Sequence, residues 1–344
     1  MGEYTDVLIV GGGPGGLACA TLLAQHNLKV VLIERKPIIG PKVCAGGITW
    51  NGLLKHVPAD LIEQAFPEQH IITPWQHAQV AEKNPIIATV NRQRLGQWMV
   101  EQAQAAGVTV FSGTRISTLE QSRAVLEHAD GRQRQYRFAQ LVGADGSNSL
   151  VRRFLGLPTA AMGIGLNGMI PGKQPQMEWH LAPKLFGSGY GWCFPHQTEC
   201  SIGVYADSRV LPARILKQRL LVWAEQHNIQ VEPMVIRAGQ VNYDYRGVRF
   251  GSVWLVGDAA GLASGLTGEG IYSALVSGQE VARMIVHANH EAKLLDGLVR
   301  RHARHRRLVT MALAHPRACP LLMETMVLLL RLKIVAFRHL EMAE

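Results

Sequence analysis

The sequence predicts an α/β protein in which a parallel-sheet, nucleotide-binding domain is split by an inserted antiparallel sheet and followed by a helical tail. Three observations carry that expectation. The apolar run Val7 to Val10 enters the glycine turn GGGPGG and a helix-forming stretch, and a second apolar run follows at Val30 to Ile33, the βαβ pattern of a parallel sheet. Between Pro158 and Gly239 the texture changes to short apolar runs broken by Gly and Pro, which suits antiparallel strands. From Gly251, GSVWLVGDAAG restores strand, glycine turn and helix, so the chain leaves the first domain, builds a second and returns.

In chain order, the helix of the first unit should run to about His26 and the second strand should end at Glu34. The pattern weakens from Pro58 to Pro85, and the stretch near 55–90 is expected to lend part of itself to the second domain. NRQRLGQWMVEQAQAAGVTVF reads as a helix followed by a strand. Arg115 to Phe138 alternates short strands about a turn at Asp130-Gly131, a meander crossing over the parallel sheet, and LVGADGSNSLVRRFLG is again strand, turn and helix. One amphipathic helix, around Pro212 to His227, interrupts the antiparallel region. The expected division is a discontinuous domain over 1–155 plus 240–290, a second over 156–239, and a helical region over 291–344.

Composition narrows the class. The 344 residues suffice for two packed domains, and 47% hydrophobic with 18% charged residues describes a soluble globular chain. Five cysteines, Cys19, Cys44, Cys193, Cys200 and Cys319, show no C-x-x-C spacing, and their odd number cannot pair completely in one chain. Together with a start that lacks a basic region before an apolar stretch, this leads to the expectation of a reducing, cytoplasmic location without a secretory leader.

The net charge of +9 is concentrated in RRHARHRR, Arg300 to Arg307, where a solvated helix face is the first reading and contact with anionic lipid or phosphate the second. No aromatic residues interleave with it, which disfavours nucleic acid. The apolar stretch Cys319 to Phe337 contains Glu324, Arg331 and Lys333, so an ordinary membrane span is excluded; burial in the fold is expected, with peripheral membrane contact as the alternative.

The glycine turn contains G-x-G-x-x-G as Gly11, Gly13 and Gly16. Glycines there permit the tight turn, close approach of a pyrophosphate and close packing of helix on strand, and the helix N-terminus supplies N–H donors. Glu34 stands 23 positions after Gly11, where a carboxylate accepts from ribose hydroxyls. FAD and NAD both satisfy this pattern. VWLVGDAAG favours FAD, because a strand delivers Asp258 into a turn that starts a helix, and an Asp there can accept from the ribityl hydroxyls that only a flavin has.

These segments resemble FAD-dependent oxidoreductases of the p-hydroxybenzoate-hydroxylase-like fold. NRQRL places Arg92 where that group has a flavin-contacting arginine, and GADGSNSLVRR places Asp145 and Gly146 on its Asp-Gly motif. The resemblance covers about residues 5–155 and 240–290, and implies a Rossmann-like FAD-binding domain carrying an antiparallel-sheet substrate domain. Three further segments resemble the geranylgeranyl reductase family in particular. They are GPKVCAGGITW, with Lys42, Cys44, Gly46 and Gly47 on a Lys-x-Cys-x-Gly-Gly pattern; YGWCFP, Tyr190 to Pro195, on a Tyr-x-Trp-x-Phe-Pro signature; and LTGEGI, Leu266 to Ile271. His196 departs from the usual lysine and Gly265 from the usual proline, and the chain ends 73 residues past Ile271.

The resemblance implies a flavin held by Gly11, Gly13, Gly15, Gly16, Glu34, Arg35, Cys44, Ala45, Gly47, Arg92, Ile116, Asp258, Gly270 and Ile271. It implies a hydrophobic, isoprenoid substrate held by Tyr190, Trp192, Phe194 and His196, with Cys44, Tyr190 and Trp192 in the chemistry. Reduction of an isolated alkene needs a proton at one carbon and a hydride at the other. Tyr190, Trp192 and Phe194 alternate onto one strand face and could stabilise positive charge, by about 2 kcal/mol or more when desolvated.

Four residues each keep two readings. Cys44 is a packing residue or a thiol, mostly protonated at neutral pH, that relays a proton or shapes the cavity. Lys42 orients the flavin or acts on that thiol. His196 is a surface residue or a phosphate contact, and Glu269 a helix N-terminal carboxylate first and an acid second. No metal cluster is expected at Cys44. The external reductant is open among NADPH, ferredoxin and a quinol. An aromatic-ring monooxygenase and a flavin electron-transfer protein are the competing functions.

Overall fold

The computed structural model describes residues 2–54, 56–172 and 174–343. The strand Glu3–Val10 lies between Gln133–Gly143 and Val30–Ile33, parallel to both. Thr109–Phe111 extends this sheet beyond Val30–Ile33, and Val253–Leu255 extends it beyond Gln133–Gly143. Arg123–His128 pairs antiparallel with the first half of Gln133–Gly143 and Thr114–Leu119 with Arg123–His128, and Arg249–Phe250 pairs antiparallel with Val253–Leu255, giving an eight-stranded sheet. Val7, Leu8 and Ile9 are fully buried, as a parallel sheet covered on both faces requires. The helices Pro14–Gln25 and Ile271–Val286 supply part of that cover. They cross at backbone contact, since a Cβ on Gly278 would stand 2.2 Å from the Gly15 carbonyl oxygen.

The second sheet has seven strands in the order Arg237–Asn242, Met162–Pro171, Glu199–Asp207, Tyr190–Pro195, Glu178–His180, Glu68–Ile72 and His77–Ala81. Its last two strands come from the stretch of weak pattern between Pro58 and Pro85. The helix Ala213–Gln226 covers one face through Leu216, Leu220 and Trp223. On the other face, Gly203 opposite Trp192 leaves room for the indole, because a Cβ there would lie 2.1 Å from the ring. A three-stranded sheet of Gly47–Thr49, Ile87–Val90 and Ile62–Phe66 adds a third layer of pairing.

The helix Lys293–Ala314 divides the basic run by face. His302 and His305 turn inward, and burial holds both imidazoles down at about 4. His302 Nε2 bonds the Tyr243 carbonyl at 3.1 Å and His305 Nδ1 the Ser264 hydroxyl at 2.8 Å. Arg306 pairs with the wholly buried Asp244, which also meets Arg152 and Arg246. Arg300, Arg304 and Arg307 face solvent, so the solvated-face reading describes only half of the run.

The helix Cys319–Arg331 corrects the expectation of burial for the apolar stretch. Cys319, Glu324, Val327 and Leu330 are buried, whereas Leu321, Leu322 and Leu328 are exposed, because only one side of this helix meets the body of the protein. Among the described residues no helix is long and apolar enough to cross a membrane.

Candidate active site

One cavity of about 1100 Å³ runs from the glycine turn to the strand Tyr190–Pro195. At the turn, Gly11 has φ +110°, and a Cβ there would meet the Ala144 carbonyl oxygen at 2.3 Å. Gly16 packs against the Gly11 carbonyl and lies behind the cavity wall. At Gly13 the nearest atom to an added Cβ is 3.9 Å away, so this is the open side of the turn. No side chain caps the helix that starts at Pro14, which leaves its first N–H groups to an anion.

Gly15, Glu34, Arg35, Ala45, Gly47, Ile116, Gly270 and Ile271 line the same cavity. The Glu34 carboxylate accepts from Gly12 N–H at 2.8 Å and Lys36 N–H at 3.0 Å, which fixes its position at the strand end. Arg92 also lines the cavity, and its Nε and Nη1 are buried with no partner in the protein among the described residues. Buried guanidinium nitrogens left unsatisfied on the same cavity as an uncapped helix N-terminus fit an anionic, acceptor-rich cofactor such as FAD.

Asp258 opens the short helix Gly257–Ala260 and faces the cavity. Its Oδ2 accepts from Lys42 Nζ at 2.9 Å and from the Ser147 hydroxyl at 3.1 Å. Lys42, which also lines the cavity, is thereby paired with the Asp258 carboxylate.

The aromatic strand does place Tyr190, Trp192 and Phe194 on the cavity. Trp179 and Tyr205 join them from neighbouring strands, with ring centroids 4.7 Å apart for Trp179 and Phe194 and 5.7 Å for Tyr190 and Tyr205. Neither was singled out in the sequence, since cross-strand register brings them in. A polar chain ties this wall to the cysteine loop. Trp192 Nε1 donates to Ser201 Oγ at 3.0 Å, Ser201 donates to Asn167 Oδ1 at 3.0 Å, and Asn167 Nδ2 donates to the Cys44 carbonyl at 2.7 Å. The Tyr190 hydroxyl donates to the Thr267 carbonyl, tying the wall to the LTGEGI loop as well.

Cys44 is half-buried on the cavity wall, and its sulfur accepts from Gly46 N–H at 3.4 Å. All five cysteines are free. The glycine pair after it has a packing reason: a Cβ on Gly46 would lie 2.5 Å from the His196 ring, and one on Gly47 would lie 2.9 Å from the Phe194 ring. His196 is buried, not at the surface, with Nδ1 2.5 Å from Glu63 Oε2 and Nε2 3.0 Å from the Ala45 carbonyl. It braces the loop from behind and does not line the cavity, so its expected place on the substrate is corrected.

Two carboxyls stand out. Glu269 lines the cavity; its Oε2 accepts from Met342 N–H at 3.1 Å, and its Oε1 is buried without a partner among the described residues. Desolvation raises its carboxyl to about 7. Glu341, from the tail, lines the cavity too and is raised to about 8 by burial and by the Glu269 charge. Glu341 carries no local signal in the sequence, because only the tail's path brings it here. Away from the cavity, on the opposite sheet face, potential metal-ligand atoms of Glu178, His180 and Cys193 lie within 4.8 Å of one another.

The FAD binding domain family matches residues 4–183. The chain is 27% identical over 322 residues to a chloroplastic geranylgeranyl diphosphate reductase of Oryza sativa, covering 83% of this chain and 67% of that one. It is 26% identical over 302 residues to a digeranylgeranylglycerophospholipid reductase of Methanosarcina mazei, covering 81% and 74%. Its fold is that of a geranylgeranyl bacteriochlorophyll reductase-like protein of Thermoplasma acidophilum, with a TM-score of 0.84 at 22% identity, covering 99% of this chain and 96% of that one.

Proposed function

The chain belongs to the FAD binding domain family and is a FAD-dependent oxidoreductase, and from that premise we propose that it reduces carbon–carbon double bonds of an isoprenoid substrate. One observation carries the reading: the aromatic wall opens into the same cavity as the nucleotide cradle and is hydrogen-bonded to the cysteine loop. The likeness to geranylgeranyl reductases over most of the chain supports it.

Reduced FAD supplies hydride chemistry, and the chain's own residues supply the rest. Gly13, the uncapped helix N-terminus, Glu34, Arg92 and Asp258 would hold the cofactor. Tyr190, Trp192, Phe194, Trp179 and Tyr205 exclude water and offer ring faces to positive charge that develops on the alkene. Glu269, protonated below about pH 7, and Glu341, raised to about 8, are the carboxylic acids on this cavity, and Cys44 is a thiol on its wall. We assign the proton to Glu269 first, because a buried carboxyl poised near neutrality both holds and releases it.

The experiment is anaerobic incubation of the holoenzyme with dithionite and geranylgeranyl diphosphate or a geranylgeranylated glycerolipid, read by mass spectrometry. Addition of two hydrogens per double bond is the expected result, and the chemical reductant removes dependence on the physiological donor. Oxygen insertion into an aromatic compound under air with NADPH would establish a monooxygenase instead. Flavin that cycles with a redox partner, while every prenyl compound stays unchanged, would establish an electron carrier.

A further inference from the structure

The outer side of the helix Cys319–Arg331 and the residues just past it expose large apolar side chains. Leu321 is 63% exposed and Leu328 40% on the helix Cys319–Arg331, and Leu332 is 57% and Ile334 66% exposed just past its end, so large apolar side chains face solvent there among Thr325, Arg331 and Lys333. An exposed apolar patch of this kind marks an interaction surface. Trp75, 73% exposed, stands beside it, because its N–H meets Glu324 Oε1 on this helix at 3.3 Å.

This surface is the rim of the cavity. Leu308, Met311 and Leu322 are each exposed and each line the cavity, so the apolar interior and the apolar exterior are continuous there. The preceding helix carries charge along the same exposed stripe: Arg300, Arg304 and Arg307 precede Leu308 and Met311 at helical spacing. Among the described residues no carboxylate pairs with these three guanidinium groups. Aliphatic side chains, an exposed tryptophan and an unpaired basic row, with no spanning helix among the described residues, are the elements of a surface that lies in the headgroup layer of an anionic bilayer.

We propose that the protein docks on anionic lipid bilayers through the outer faces of Lys293–Ala314 and Cys319–Arg331, with the cavity mouth pressed against the membrane. Docking in this pose admits an apolar chain without passage through water. Docking through this surface does not depend on whether the bound chain is reduced.

Co-sedimentation of the holoenzyme with phosphatidylcholine vesicles, with and without phosphatidylglycerol, tests it. The wild type should sediment with the phosphatidylglycerol vesicles and be released by salt. R304E/R307E should bind more weakly by about 30-fold or more, and L321E/L328E should lose binding, both with unchanged flavin content. Trp75→Phe should reduce the blue shift of tryptophan emission seen with vesicles. Partition that ignores phosphatidylglycerol, or variants that bind as the wild type does, would overturn the proposal. So would a wild-type dimer that L321E/L328E converts to monomer without any vesicle binding, since the patch would then be a self-association face.

Discussion

Lys42 Nζ and Asp258 Oδ2 lie 2.9 Å apart although 216 residues separate them. The contact fastens the cysteine loop, which follows the first βαβ unit, to the returning strand-turn-helix that closes the same domain. The ammonium is 48% exposed and the carboxylate 6%, so solvent screens one partner and the pair contributes little by itself to stability. Its value is positional: it fixes the carboxylate at the cavity edge.

Asp258→Ala is therefore expected to lose bound flavin without losing the fold. Flavin retained after gel filtration should drop by about tenfold or more, as for one charge-assisted contact removed, while the melting temperature of the apoprotein changes little. Lys42→Met should keep more flavin than Asp258→Ala, because Ser147 still holds the carboxylate. The reverse order would remove Asp258 from the cofactor contacts.

Cys44→Ser should retain flavin and lower alkene reduction, since its side chain lines the cavity while its carbonyl, unaffected by the change, keeps the Asn167 bond. Steady-state turnover equal to wild type would reduce the thiol to a wall residue.

Reduction should slow as pH rises through about 7, where Glu269 gives up its proton, and Glu269→Gln should cut the rate by about 100-fold or more and remove that limb. Stability should follow the same residue. Its folded value lies above the ordinary 4.5, so the stabilisation is complete below 4.5 and is lost as pH climbs toward 7. A pH-rate profile together with melting curves of both proteins separates the proton-donor role from the stability effect.

On the acid side the buried imidazoles set the limit. His302 and His305 are held near 4 against an ordinary 6.5, so their contribution is present above 6.5 and lost as pH falls toward 4. His305→Gln should flatten the fall in melting temperature over that window; an identical fall would place the acid sensitivity elsewhere.

Gly203→Ala should destabilise the second sheet by about 1–3 kcal/mol, because the new methyl would meet the Trp192 ring at 2.1 Å and the Leu166 carbonyl at 2.3 Å. Circular-dichroism melting checks the cost. Near-ultraviolet spectra should also change as the indole is displaced.

What could be read from the chain was what is local in it. The glycine turn, Glu34 and Asp258 follow strand-turn-helix grammar within a few residues, and Tyr190, Trp192 and Phe194 follow the period-two rule of a strand. Trp179, Tyr205 and Glu341 reach the cavity only through register and the path of the tail, for which the sequence has no short-range mark. His196 was misplaced for a related reason, since a histidine after Phe-Pro looks the same whether its ring meets water or fills the space over Gly46. The strands between Pro58 and Pro85 are short, and of them only His77–Ala81 alternates, since Glu68–Ile72 is buried on both faces along its middle and Ile62–Phe66 is half-buried over its first three residues.

The link from Trp192 through Ser201 and Asn167 to the Cys44 carbonyl makes the spacing between wall and loop a fixed gauge. Hydrogen bonds set that gap, whereas apolar packing sets the room at the far end near Leu308 and Met311. For the proposed prenyl substrate, chain length and the position of the attacked bond would thus be controlled by different parts of the molecule: widening the mouth should admit longer chains, and only shifting the gauge should move the reaction from one double bond to the next.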